Sequence, residues 1–318
     1  MGKKTRIRDI LKIISGDNDE ELMKFIKEKN LIRVNPPMCE NRKCKHFGVR
    51  PMQWTKRPNH IDKFSWRCTS CTTYKSIRTN SFFSYFKIAI TQILMLVYSW
   101  CKQTSHETAA EEIGCSRPVI SACYKRMRKL CAKINQKANI ILGGPGRQVE
   151  IDESLFVRVK HHKGKDLRRE QVWVFGLYER PLEENKKLKE KGRCLFFVVP
   201  KRDAVNLLNI IYKYVAPGTE ILSDCWKAYH RIGKLDHKYK HETVNHELFF
   251  VRPDNPNIHT NTIESIWCSA KVHFKMMRGV KRDFLQSYLE EYTWRRNCNV
   301  SKVAAFEVML DEISSEYS

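Results

Sequence analysis

The sequence predicts a mixed α/β fold: a cysteine-bearing segment and a run of helices, followed by a larger domain in which strands alternate with helices. Three observations predict it. Cys39, Cys44, Cys68 and Cys71 stand as two pairs in a stretch poor in aliphatic residues. Apolar residues fall at helical spacing from Phe82 to Ile134. Beyond the Gly- and Pro-bearing stretch LGGPGRQ at 142–148, the apolar runs QVEIDESLFV, VWVFGLY, CLFFVVP and EILS are interleaved with helix-like segments, as in a sheet covered by helices.

Composition narrows the class of partner. At 318 residues the chain is long enough for about two domains, one of them with a substantial core. It carries 58 Lys and Arg against 35 Asp and Glu, a net charge of +23 that favours phosphates or an anionic membrane surface. No apolar run reaches transmembrane length, and the opening MGKKTRIRDILK has no apolar signal core, so nucleic acid is the expected partner and a membrane is not. Most of the twelve cysteines are scattered singly through apolar segments, which points to a reducing compartment: the nucleus in a eukaryotic host, the cytoplasm otherwise.

In residues 1–35, Ile10, Leu11, Ile14, Leu22, Phe25 and Ile26 suit two short helices broken at Ser15-Gly16-Asp17. Residues 36–80 are expected to be zinc-ribbon-like. Cys68-x2-Cys71 is a knuckle spacing and Cys39-x4-Cys44 a looser one, with His46 a substitute ligand, and four thiolates around one structural zinc would staple a segment that lacks a core of its own. The alternative is four free thiols in a folded segment. Residues 81–141 are expected to be helical and helix-turn-helix-like. In TAAEEIGCSRPVISACYKRMRKL, small and apolar residues flank Gly114 at the spacing that lets two helices cross. The second helix, roughly Pro118 to Ile134, would then present Arg117, Ser121, Lys125, Arg126 and Arg128 to a DNA groove. An ordinary helical hairpin with a solvated basic face is the competing reading.

Residues 142–148 read as a linker, 149–285 as a catalytic domain and 286–318 as C-terminal helices. In the first strand Val149, Ile151 and Leu155 alternate onto one face and leave Asp152 on the other; Glu153, on the face opposite Asp152, is at most a supporting residue. EILS ends at Asp224, and RDAVNLLNIIYKYV is a helix starting from Asp203. The helix from about Thr262 buries Ile263, Trp267, Ala270 and Phe274, with Glu264, Cys268, Lys271 and Lys275 on the adjoining face. The order strand with Asp, two strands, helix, strand with Asp, later helix with Glu suits a ribonuclease H-like sheet. Taken singly, Asp224 is readable as a helix cap and Glu264 as a first-turn acid facing the helix dipole. Together, in so basic a chain, the three carboxylates read as a metal-holding set for chemistry on nucleic acid.

The strings VEIDES, VWVFGLYER, ILSDCWKAY and H-x-N-x-IES-x-W followed by KMMRG resemble the DDE transposases of the Merlin superfamily and its bacterial insertion-sequence relatives, over roughly residues 36–285. The first cysteine pair is wider than that family's usual spacing, and residues 1–35 lie outside the resemblance. The resemblance implies that Asp152, Asp224 and Glu264 are the DDE triad holding two Mg²⁺ or Mn²⁺ ions, and that Lys271, His259 and Asn261 are the DNA-facing residues around the glutamate. It further implies binding of terminal inverted repeats, cleavage and transfer of strands into target DNA, and action as a homodimer or larger assembly. A domesticated, catalytically silent DNA-binding protein and a plain nuclease of the same fold are the alternatives.

Overall fold

The computed structural model describes residues 7–157, 171–182, 191–245, 248–249, 251–277 and 279–317. The chain divides into two compact units, residues 1–130 with 300–318 and residues 131–299.

In the first unit, α1 (Ile7–Ser15) and α2 (Asp19–Glu28) bury Ile10, Ile14, Leu22 and Ile26. The chain breaks between them where Asn18 caps α2 by accepting the backbone N–H groups of Glu20 and Glu21. Strands β1 (Gln53–Lys56), β2 (Phe64–Arg67) and β3 (Tyr74–Lys75) form a small antiparallel sheet. It is tied to the following helices by a buried pair that the sequence did not reveal. Arg78 donates to both oxygens of Asp62 (Nε at 2.7 Å) and to the carbonyls of Phe86 and Ile88. Then come α3 (Ile90–Lys102), α4 (His106–Ile113) and α5 (Arg117–Ala138). Gly114 closes α4 in the left-handed region (φ 69°), which glycine adopts without steric cost.

The second unit is built on a five-stranded sheet of β5 (Gln148–Val157), β6 (Val172–Glu179), β7 (Cys194–Val199), β9 (Glu220–Asp224) and β10 (Lys240–Val244), in spatial order β10-β9-β5-β6-β7. The β5-β6-β7 meander is antiparallel, while β9 runs parallel to β5 and β10 parallel to β9. A parallel partner for β5 requires a crossover, which α6 (Ala204–Tyr214) supplies, capped by Asp203. One face of the sheet packs Val149, Ile151, Phe175 and Ile221 against Leu207 and Ile211 of α6 and against Tyr229. The other packs Val174 and Phe196 against α7 (Asn261–Met276) and α8 (Leu285–Asn297). The stripe Ile263, Trp267, Ala270 and Phe274 is buried there as its spacing predicts, and the large side chains contribute about 2 kcal/mol apiece.

Two segments differ from the sequence-based boundaries. Residues 142–148 are not a free linker: Leu142 is buried, β4 (Leu142–Gly143) pairs with β8 (Val215–Ala216), and the Gly144 N–H donates to Thr219 Oγ1. A Cβ on Gly143 would lie 2.3 Å from the Thr219 hydroxyl, so glycine is required there by close packing, while Gly144 (φ 116°) and Gly146 (φ 75°) supply the left-handed backbone of the turn. The C-terminal helices also separate. α8 packs on β7, where Asn297 bonds the Cys194 backbone, whereas α9 (Ala305–Tyr317) belongs to the first unit, with Phe306 against Tyr98 and Tyr317 against Phe82.

Candidate active site and metal centre

The cysteine quartet is the one group of at least three His, Cys, Asp or Glu residues, among the described residues, whose ligand atoms all lie within 4.8 Å of one another. Cys39 Sγ is 3.6 Å from Cys71 Sγ, and Cys44 Sγ is 3.8 Å from Cys68 Sγ. Those separations exceed a disulfide's by far. They equal the edge, about 3.8 Å, of a tetrahedron with the zinc–thiolate bond as its radius. Backbone N–H groups of Cys71 and Ser70 lower the Cys68 thiol's pKa, and the Thr73 hydroxyl and N–H bring that of Cys71 down to about 6. Burial and the neighbouring thiols instead push Cys39 up to about 12, so the fit to Zn²⁺ rests on the four-sulfur geometry. The wider first pair is accommodated by a turn in which the His46 N–H points at Cys44 Sγ (3.4 Å), so His46 supports the knuckle through its backbone.

Two of the three carboxylates lie on neighbouring strands of the sheet. β5 and β9 pair in parallel with Glu150 opposite Leu222, and carrying that register two places further sets Asp152 beside Asp224. Asp152 faces α7, where Trp267 Nε1 donates to its Oδ2 at 2.9 Å. Gly176, opposite Asp152 on β6, makes room for that indole: a Cβ there would stand 2.5 Å from the ring. Burial, then the charges of Glu153 and Asp224, push the Asp152 carboxyl up to about 7. Glu153 points to the other face of β5, where it accepts from Tyr229 Oη at 2.6 Å, and burial lifts it to about 7 as well. Its second oxygen is buried with no hydrogen-bond partner among the described residues. Asp152, buried on the α7 face, and Asp224 on the neighbouring strand offer hard oxygen donors of the kind a divalent cation takes.

Asp224 Oδ1 accepts the Trp226 N–H at 2.9 Å, which closes a turn ahead of the short helix Lys227–Tyr229 without capping it. Glu264 lies in the first turn of α7 and accepts from Thr260 Oγ1 at 3.1 Å. The three acids do not close into a single 4.8 Å cluster as the cysteines do.

What brings the Glu264 helix to the Asp152 strand is a buried network that sequence reasoning missed. Glu150, fully buried on β5, accepts the Ile263 N–H of α7 at 2.9 Å and the Arg180 Nε at 2.6 Å. Arg180 also donates to the carbonyls of Asn257 and His259 and meets the His259 ring at 2.9 Å. The signal was present: Glu150 sits two residues before Asp152 and shares its face, and Arg180 ends VWVFGLYER. His259 is thereby engaged in holding the start of α7, and Asn261, the first residue of that helix, donates its N–H to His259. Because removing one partner strands a buried charge, Glu150→Ala and Arg180→Ala should each destabilise the second unit by about 3–5 kcal/mol. Urea unfolding checks this, and a loss below about 1 kcal/mol would show the network to be dispensable.

On α5, Arg117, Ser121 and Lys125 are exposed, and Arg117 pairs with Glu107 at 3.1 Å. Arg126 lies over the Tyr85 ring. Arg128 corrects the expected set: it is only 7% exposed, because it falls on the stripe of buried Tyr124, Met127 and Cys131. Lys271 is exposed two turns after Glu264, its Nζ 5.7 Å from the Phe156 ring. Arg278 of KMMRG lies outside the described residues. No described helix is long and apolar enough to cross a membrane.

Residues 141–297 match the family model of the ISXO2-like transposase domain. A curated relative, an uncharacterized transposase-like protein of Haemophilus influenzae, is 29% identical over 107 residues, which cover 34% of this chain and 83% of that protein. Both comparisons support a transposase of the insertion-sequence type, a class that binds and cleaves DNA and uses divalent metal.

Proposed function

We propose, from the match to the ISXO2-like transposase domain as premise, that this chain is a DDE transposase of the Merlin and insertion-sequence kind, with a ribonuclease H-like catalytic domain. The observation that carries the reading is the β5-β9 register that sets Asp152 beside Asp224, with the Glu264 helix anchored to the same strand through Glu150. Asp152, Asp224 and Glu264 would hold two Mg²⁺ or Mn²⁺ ions, which when bound polarise the scissile phosphate and activate the attacking oxygen. Trp267 fixes the Asp152 carboxylate, and Glu150 with Arg180 fixes the turn that presents Glu264. Water attack frees the element end, and the 3′-hydroxyl so formed attacks target DNA by the same in-line displacement, without a covalent enzyme intermediate.

The zinc-bearing segment and the α4-α5 pair, acting as a helix-turn-helix, bind the terminal inverted repeats, with Arg117, Ser121 and Lys125 toward the groove. Two ends must be processed in concert, so the active form is a homodimer or larger assembly, working in the nucleus of a eukaryotic host or the cytoplasm of a bacterial one. Incubating the purified protein with DNA carrying the source element's terminal repeats and Mg²⁺ or Mn²⁺ tests the whole reading. Joined products support a transposase, cleavage alone a nuclease, and binding alone a domesticated, catalytically silent DNA-binding protein.

Lys271 is read as a phosphate-positioning charge beside the acids. Lys271→Ala should weaken end-DNA binding and flatten the log–log salt dependence by about one unit. A solvated lysine predicts parallel salt lines of equal height.

A further inference from the structure

A cation lies between two tryptophans on the Glu153 side of the sheet, next to the Asp224 turn. Trp226 follows Asp224 by two residues and donates its backbone N–H to that carboxylate. The Arg202 guanidinium, on the loop after β7, lies 4.4 Å from the Trp226 ring and 4.3 Å from the Trp173 ring. Trp173 is held in register by the sheet, opposite Leu155 on one side and Val199 on the other. Trp226, by contrast, remains 36% exposed. Among the described residues, no carboxylate stands within ion-pair distance of Arg202, although its charge reaches the Glu153 carboxyl.

About a third of Trp226 stays open to solvent, with the Arg202 cation against its ring. A flat ring with a cation–π partner matches the face of a nucleobase, and a guanidinium held by stacking keeps its N–H edges for a phosphate oxygen. Duplex bases do not offer their faces; only an unstacked base does.

We propose that Trp226, with Arg202 stacked between it and Trp173, binds one unstacked nucleobase of the DNA strand that enters the Asp152 and Asp224 site. The inference rests on the nucleic-acid reading above and adds a strand-state preference to it: single-stranded or frayed DNA over closed duplex at this point.

The test uses the full chain in metal-free buffer with two probes, a short single strand carrying one 2-aminopurine and the blunt duplex of the same sequence. Trp226→Ala should weaken single-strand binding about tenfold while changing duplex binding less than about twofold, and it should abolish quenching of the 2-aminopurine. Trp226→Phe, which keeps a ring, should retain most of the affinity, and Arg202→Ala should lose part of it. Comparing thermal unfolding of the variants with that of the wild type separates a lost contact from a lost fold; if Trp226→Ala unfolds early, Trp226→Phe and Arg202→Ala carry the comparison. Unchanged single-strand affinity and quenching in folded variants, or equal losses on both probes, would overturn the stacking site alone. Failure of the wild type to bind either probe would bring down the nucleic-acid reading itself.

Discussion

Asp152→Ala, Asp224→Ala and Glu264→Ala are each expected to abolish strand cleavage, by about a thousandfold or more, while leaving end-DNA binding within about twofold. The separation is expected because the acids lie in the second unit, Asp152 and Asp224 on its sheet and Glu264 on α7, whereas Arg117, Ser121 and Lys125 lie on α5 in the first. Gel assays of binding and of cleavage on the same end DNA check it, and full cleavage by any one variant would remove that acid from the triad. A second readout is independent of activity. In metal-free protein the folded Asp152 keeps its proton up to about pH 7, whereas its ordinary value is 3.8. The folded state therefore binds more protons than the unfolded chain between those limits, and stability falls as pH rises from about 4 to about 7. Asp152→Asn should remove that loss and stabilise the metal-free protein by about 1–3 kcal/mol at pH 8, with no gain below pH 4. Equal stability of the two proteins at pH 8 would mean that the carboxylate is not held at electrostatic cost.

Cys68→Ser and Cys71→Ser are each expected to release zinc and unfold residues 36–80. Structural zinc contributes on the order of 10 kcal/mol to folding in domains of this kind. Little in the segment replaces it: its core is Met52, Phe64, Trp66 and Ile77 beside the cysteines, with the Trp54 ring stacked on Phe64. Metal analysis should find one zinc per wild-type chain and less in the variants, with loss of the near-ultraviolet signal of Trp54 and Trp66. A well-folded wild type free of zinc would sink the assignment. Because Arg78 and Asp62 join this segment to the helices that follow, the variants should also loosen the first unit around Phe86.

Local pattern carried much of this structure. Alternation in QVEIDESLFV placed Asp152 opposite Val149 and Ile151, because strand side chains alternate whatever the strand pairs with. The Ile263, Trp267, Ala270 and Phe274 spacing likewise marked the buried face of α7. On α5 the same logic was available, yet Arg128 was grouped by charge with its basic neighbours; its place on the Tyr124, Met127 and Cys131 stripe buries it.

The sequence by itself determined the order of strands and helices, the two cysteine pairs, the faces of β5 and α7, and an excess of positive charge suited to a polyanion. Each depends on residues near one another in the chain. Only the tertiary structure decided which strand lies beside β5, how the two cysteine pairs interleave, and that Glu150 and Arg180 bind the start of α7. It also decided that Gly143 serves packing against Thr219, in a segment paired with β8. Those are contacts between residues from 24 to 113 positions apart, and no local periodicity encodes a partner at that distance.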